Sequence, residues 1–174
     1  MQSKIKILYS GRSMTEMLGV LAIMGIITAV SMESYNTAIS TVKTNRTVED
    51  LTKIGLAVHA NYKNSKYVTY EDISMLSLIS NNTIPAFPGS KNAGINQYGG
   101  KYTLEAGENN SSFFIVVTNV PKRDCIMFTE RHRPGIESIE IDGSRWYPSH
   151  RPTAPELTSK CTDGETSIIK FEYK

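Results

Sequence analysis

The chain has 174 residues, with hydrophobic content of 40%, charged content of 21% and a formal net charge of +2. That length holds one ordinary domain beyond an N-terminal segment, and the composition excludes a disordered chain. Without Lys4 and Lys6, near the N-terminus, basic and acidic side chains balance at 17 each, which leaves no basic stripe for nucleic acid.

The first element is the N-terminal segment. Lys4 and Lys6 form a positive region, and from Met17 to Met32 no residue is charged. Glu16 stands one step before that apolar run. A carboxylate at the edge of a bilayer core costs a few kcal/mol or more without a partner, so its placement points to a partner supplied by another copy of the chain. Three readings of the segment follow. It is a Sec signal peptide cut at the small residues of Ala29-Val30-Ser31; it is a plain anchor, slightly short of the ~20 residues that cross the hydrocarbon; or it is cut after Gly11 and the apolar run stays in the mature chain. The third makes Glu16 the fifth mature residue and starts the apolar stretch at the new N-terminus.

The helical pattern continues beyond Met32. Tyr35, Ala38, Ile39, Val42, Leu51, Ile54, Val58 and Tyr62 recur at three- and four-residue steps. No Pro occurs before Pro85, and the polar patch Lys43 to Thr47 contains no breaker. The spacing predicts a helix of about fifty residues, about 75 Å at 1.5 Å per residue, ending near Asn64-Ser65-Lys66. It is apolar all round in its first half and on one face in its second, where the stripe is expected to pack as core. Gly19 and Gly25 each weaken the apolar half by about 1 kcal/mol relative to Ala.

Thr69-Tyr70-Glu71-Asp72 has the form of a capping box and predicts a short helix over Tyr70 to Ser80. Asn81 to Gly100 is rich in Pro, Gly and Asn and is expected as loop. Lys101 to Glu105 and Ser112 to Thr118 predict a hairpin. Pro121 starts a helix through Arg131 that carries Cys125. Glu137 to Ile141 alternates, and Asp142-Gly143 predicts a tight turn into Arg145-Trp146-Tyr147. Pro148 to Pro155 is expected to be irregular. Thr166 to Tyr173 is the last predicted strand. The expected fold is α+β: a long N-terminal helix, packed through its amphipathic half on an antiparallel sheet.

Cys125 and Cys161 are the two cysteines. An export signal places them in an oxidising compartment, where an isolated pair bonds; two buried free thiols are the other reading. His59, His132 and His150 share no metal-ligand spacing. No nucleophile with its base and no phosphate loop stands out. Asp124 beside Cys125, and Glu130 with His132, read as exposed surface neighbours. Trp146 and Tyr147 read as core or sheet packing, with a contact surface near the turn as the other reading. No catalytic residue, cofactor or metal is expected.

Gly11, Glu16 after five steps and the run Met17 to Met32 resemble the signal of type IV pilins and pseudopilins. The resemblance implies that a prepilin peptidase cuts between Gly11 and Arg12, that the new N-terminus is methylated, and that Glu16 pairs with the amine of a neighbouring subunit. Such proteins usually begin with Phe or Met in the mature chain, where this one has Arg12. The absence of Pro in the apolar stretch leans toward the toxin-coregulated type, for which the leader is short. Tyr98-Gly99-Gly100-Lys101-Tyr102-Thr103, Val120-Pro121 before Cys125, and Cys161 before a final strand are similar to the group of toxin-coregulated and PilS-like pilins. That likeness implies that Cys125 and Cys161 enclose the variable, exposed region.

The expected organisation is therefore a leader over residues 1–11, a membrane and polymerisation half of the helix over 12–34, an amphipathic half over 35–64, and a head over 65–174. The expected protein is a structural subunit and not an enzyme. Its expected partners are further copies in a helical filament, the peptidase, the inner-membrane assembly machinery and, before assembly, lipid. A pseudopilin or minor pilin of a secretion or uptake system has the same architecture, and a Sec-exported soluble binding domain is the alternative of a different class.

Overall fold

The computed structural model describes residues 13–62, 74–107, 111–130, 135–161 and 167–174. The contacts divide the chain into two compact units, the first ending at Ile39 and the second running from Ser40 to Lys174. Helix α1 (Met14–Tyr62) contributes to both.

In the second unit the described strands form one antiparallel sheet. They are β1 (Gly94–Ile95), β2 (Lys101–Ala106), β3 (Phe113–Val120), β4 (Ile136–Ile141), β5 (Ser144–Trp146) and β6 (Ser167–Tyr173), in the order β1-β2-β3-β6-β4-β5. The expected hairpin is β2 with β3, registered Tyr102 opposite Val117 and Ala106 opposite Phe113. The centre is the pairing of β3 with β6, which sets Phe113 against Tyr173, Ile115 against Phe171 and Val117 against Ile169. Alternation puts these three pairs on one face, where they join Leu51, Ile54 and Val58 of α1 in the core. The long helix thus packs on the sheet as an α+β fold.

The turn between β4 and β5 follows its sequence. Asp142 and Gly143 have φ of +46° and +78°, the mirror-image turn that matches strand twist and that Asp-Gly favours.

Helix α3 (Lys122–Glu130) follows Pro121, whose carbonyl accepts from the Cys125 N–H at 2.9 Å. Arg131, the expected end, lies outside the described residues.

Four expectations are corrected. The stripe of α1 does not pack as core along its whole length: Tyr35, Ala38, Ile39 and Val42 are exposed, and the buried positions of that stretch are Thr44 and Thr47. The short helix α2 (Leu76–Ser80) starts later than Tyr70. The Asn92 side chain accepts from the Met75 N–H at 2.8 Å and from the Ser74 hydroxyl at 2.6 Å, satisfying the N–H of the residue that caps α2; the capping box at Thr69 lies outside the described residues. The loop before Gly100 contains β1, where Gly94 has no room for a side chain: a Cβ would stand 2.5 Å from Ile84. Lastly, a helix α4 (Ala154–Lys160) emerges from the stretch expected to be irregular. Its cap is Thr153, whose N–H and hydroxyl both donate to the Glu156 carboxylate, at 2.7 and 2.8 Å, with Pro155 in the first turn.

Candidate assembly helix and disulfide-bounded head

In the first unit α1 carries the apolar run. Its large hydrophobic side chains from Met14 to Met32 are each at least 43% exposed. By length and composition α1 can cross a membrane, with a mean hydropathy of 1.8 over its most apolar window. The hydroxyl residues in and just after the run are compatible with an apolar surrounding because each donates to the carbonyl one turn earlier. Thr28 donates to Met24 at 2.7 Å, Ser31 to Ile27 at 2.7 Å, Ser34 to Val30 at 3.2 Å and Thr37 to Glu33 at 2.9 Å. A polar group satisfied within its own helix needs no water.

Glu16 lies in the first turn of α1. Its carboxylate accepts from the Ser13 N–H at 3.1 Å, so Ser13-Met14-Thr15-Glu16 forms the Glu half of a capping box. The sequence reading missed this partner, though the S-x-x-E spacing carries it. One backbone N–H leaves the carboxylate with further accepting capacity. Among the described residues Glu16 has no ion-pair partner. Gly11 and Arg12, the expected cleavage and methylation positions, lie outside the described residues.

In the second unit the seam between α1 and the head is divided. From Leu51 onward it is apolar; below that it is hydrogen-bonded. Ser40 donates to the carboxylate of Asp124, the Thr44 and Tyr98 hydroxyls lie 3.4 Å apart, and Asp50 accepts from Gln97 at 3.1 Å and from the Tyr102 hydroxyl at 3.3 Å. Burial raises both phenols, Tyr98 to about 12, so both hydroxyls keep their protons at physiological pH. Asp124 is therefore a correction: it is buried, not exposed, because α1 covers it. His132 lies outside the described residues.

The Tyr98-to-Thr103 motif builds this seam. The Asn96 side-chain Oδ1 accepts from the N–H of Tyr98 at 2.9 Å and of Gly100 at 2.8 Å, while its side-chain amide donates to the Thr118 carbonyl at 2.6 Å. Gly99 has φ of +75°, and a Cβ on Gly100 would stand 2.2 Å from the Thr118 oxygen. The two glycines let the turn close and aim Tyr98 at Thr44 and Tyr102 at Asp50.

Cys125 of α3 is bonded to Cys161, the residue after α4, across a sequence separation of 36. The bridge fixes both ends of the segment holding β4, β5 and α4. On the face of the sheet opposite the core, Glu172 is buried and accepts from Ser112 at 2.8 Å, from Ser138 at 2.7 Å and from Arg145. The Arg145 guanidinium stands 5.3 Å from the Phe114 ring and 5.5 Å from the Tyr147 ring. Burial by itself would raise the Glu172 carboxyl; the bonds from Arg145, Ser138 and Ser112 outweigh it and hold the group below its ordinary value. Trp146 packs against the core, whereas Tyr147 is 52% exposed and serves as a lid on Arg145. Among the described residues no group of three or more His, Cys, Asp or Glu gathers as a metal site. His59 lies beside Phe113, and the His150 N–H donates to the Tyr147 carbonyl at 3.0 Å.

A helix with an uncovered apolar stretch, continuing into a sheet-packed head closed by one disulfide, defines a pilin-like subunit. The family model described as PilS N terminal matches residues 41–173, and the chain belongs to that family, which is related to the type IV pilins and is structural rather than enzymatic. No curated protein matches the chain.

Proposed function

We propose that this chain is the structural subunit of a type IV pilus. Residues 1–11 are a leader that a prepilin peptidase removes between Gly11 and Arg12, and the new N-terminus at Arg12 is methylated. Residues 12–34 hold the subunit in the inner membrane, in contact with lipid, until the assembly machinery adds it to the filament. Residues 35–64 carry the head, residues 65–174, which lies on the outside of the extracellular filament.

The observation that carries this reading is the uncovered apolar surface of α1 from Met17 to Met32, with Glu16 at its tip. Such a surface is covered by lipid or by other helices. In a filament of parallel helices the N-termini are buried, each with an amine charge. Burying that amine or Glu16 alone is costly, and pairing them between subunits offsets much of the penalty. Pairing also fixes the axial register, since one stagger brings the groups together. The family supports a pilin-related role.

The test is the mass and terminal sequence of the mature protein from cells. A start at Arg12 is expected. A start near Met32 would remove the assembly helix and leave an exported soluble domain.

A further inference from the structure

We propose that Asp142 is a site of spontaneous covalent modification. In the folded protein its side chain cyclises onto the Gly143 nitrogen and reopens as isoaspartate, which reroutes the chain through the β4–β5 turn. This chemistry is independent of the pilus reading.

Asp142 and Gly143 are the two central residues of the turn that sets Ile141 opposite Ser144, and both are exposed. The Asp142 carboxylate is held loosely. It accepts from the Ile168 N–H at 3.4 Å, longer than an ordinary N–H···O bond of about 3 Å. The Asp142 N–H donates to the Ile168 carbonyl, also at 3.4 Å. Gly143 carries no side chain to shield its nitrogen. The φ of +46° at Asp142 and +78° at Gly143 gives the turn a soft motion. Both mirror-image hairpin turns need a positive φ at the first central residue, and they differ at the second. Glycine accepts either sign there, so the peptide between Asp142 and Gly143 turns over while β4 and β5 stay paired. That rotation sweeps the Gly143 nitrogen around the Asp142 side chain. Asp50 and Asp124 differ on each count. They lie inside α1 and α3 and precede Leu51 and Cys125, and helical backbone bonds prevent the same rotation. The other Asp-Gly pair, Asp163-Gly164, lies outside the described residues.

The reaction needs no enzyme and no redox partner. The Gly143 nitrogen attacks Cγ of the protonated Asp142 carboxyl. The new N–Cγ bond closes a cyclic imide, and the Gly143 N–H proton leaves with the carboxyl hydroxyl as water. Solvent water then opens the imide. Addition at Cγ breaks the new bond and restores aspartate. Addition at the main-chain carbonyl carbon breaks the original peptide bond and leaves isoaspartate, with the chain running through the side chain. The product has one more main-chain carbon in a two-residue turn. Turn type and loop length fix the register of a hairpin, and this register positions Arg145, which stands opposite Glu140 and donates to the buried Glu172. The modified turn loosens that donor and leaves Glu172 to Ser112 and Ser138.

The experiment ages the full-length, detergent-solubilised protein for several weeks at neutral pH, with a parallel sample unfolded in guanidinium chloride. Peptides are then mapped by electron-transfer mass spectrometry, which distinguishes the two linkages. In the folded sample isoaspartate is expected at residue 142, forming at least about tenfold faster than at Asp50 or Asp124. An Asp142 that converts in the unfolded sample and stays intact in the folded one overturns the proposal, because the turn then protects it. Conversion at Asp50 and Asp124 as fast as at Asp142 overturns it as well. The aged fraction should unfold at a lower denaturant midpoint than the fresh protein, and Arg145→Met should remove most of that difference. A difference undiminished in Arg145→Met would overturn the link from the turn to Glu172.

Discussion

The Ser40 hydroxyl donates to the carboxylate of Asp124, the residue that precedes Cys125. One hydrogen bond thus joins the first residue of the head-bearing unit to the turn of α3 that starts the disulfide-bounded region. Removing Ser40 leaves the buried Asp124 carboxylate without that donor, and removing Asp124 leaves the half-buried Ser40 hydroxyl without its acceptor. Ser40→Ala and Asp124→Ala should each lower stability by about 1–3 kcal/mol. In a double-mutant cycle the combined loss should be smaller than the sum. Denaturant midpoints of the detergent-solubilised protein measure this, and additive losses would show that the two groups do not interact.

The Glu172 cluster gives a pH dependence with a defined sign. The folded carboxyl lies below its ordinary value of 4.5. Its contribution is complete above that pH and is lost as pH falls through the lower, folded value. Glu172→Gln should flatten the loss of stability below about pH 4.5. Arg145→Met should cost about 3 kcal/mol at neutral pH, the low end for breaking a buried pair, because it leaves the carboxylate among Ser112, Ser138 and Phe114 without its cation. Thermal melts across pH 3 to 7 (on the order of one per half unit) resolve both effects.

The bridge between Cys125 and Cys161 closes a long loop. In the chain-entropy model its removal by paired Cys→Ser changes should cost about 4 kcal/mol, through a less constrained unfolded state. Equilibrium unfolding of the double variant checks this; a loss below about 1 kcal/mol would show that α3, α4 and β6 hold the region without the bridge.

The divided face of α1 predicts a divided response. Ile54→Ala empties a fully buried position and should cost about 2–5 kcal/mol. Val42→Ala, on the same predicted stripe but half exposed, should stay within about 0.5 kcal/mol. Comparable losses at both sites would restore the continuous apolar stripe.

That stripe shows what the sequence made legible and what it hid. Alternation located β4 and β6 because one face of each meets the core, strand-forming runs around a hairpin marked β2 and β3, and Asp142-Gly143 marked its turn because few residues accept positive φ. The lower seam was hidden because hydrophobic periodicity cannot see burial satisfied by hydrogen bonds: Thr44 and Thr47 face inward where Ile39 and Val42 do not. Asp124 looked like surface because its partner lies 84 residues away. The bonds that bring Arg145, Ser112 and Ser138 to Glu172 exist only once β3, β4, β5 and β6 are registered. Helix α4 was legible in principle, in the Thr153-to-Glu156 spacing, but the surrounding prolines masked it. At the assembly helix, Glu16 and the apolar run were evident from charge alone, while the bond to Ser13 lay in a motif overshadowed by the hydropathy.

The most direct test of the central claim replaces Glu16 by Gln. Gln retains the reach and the accepting oxygen that cap the Ser13 N–H, and it removes the charge needed to face an amine. The account predicts that Glu16→Gln subunits reach the membrane at normal levels and form no filaments. Filaments at normal yield would mean that Glu16 serves its own helix and not a neighbour's N-terminus.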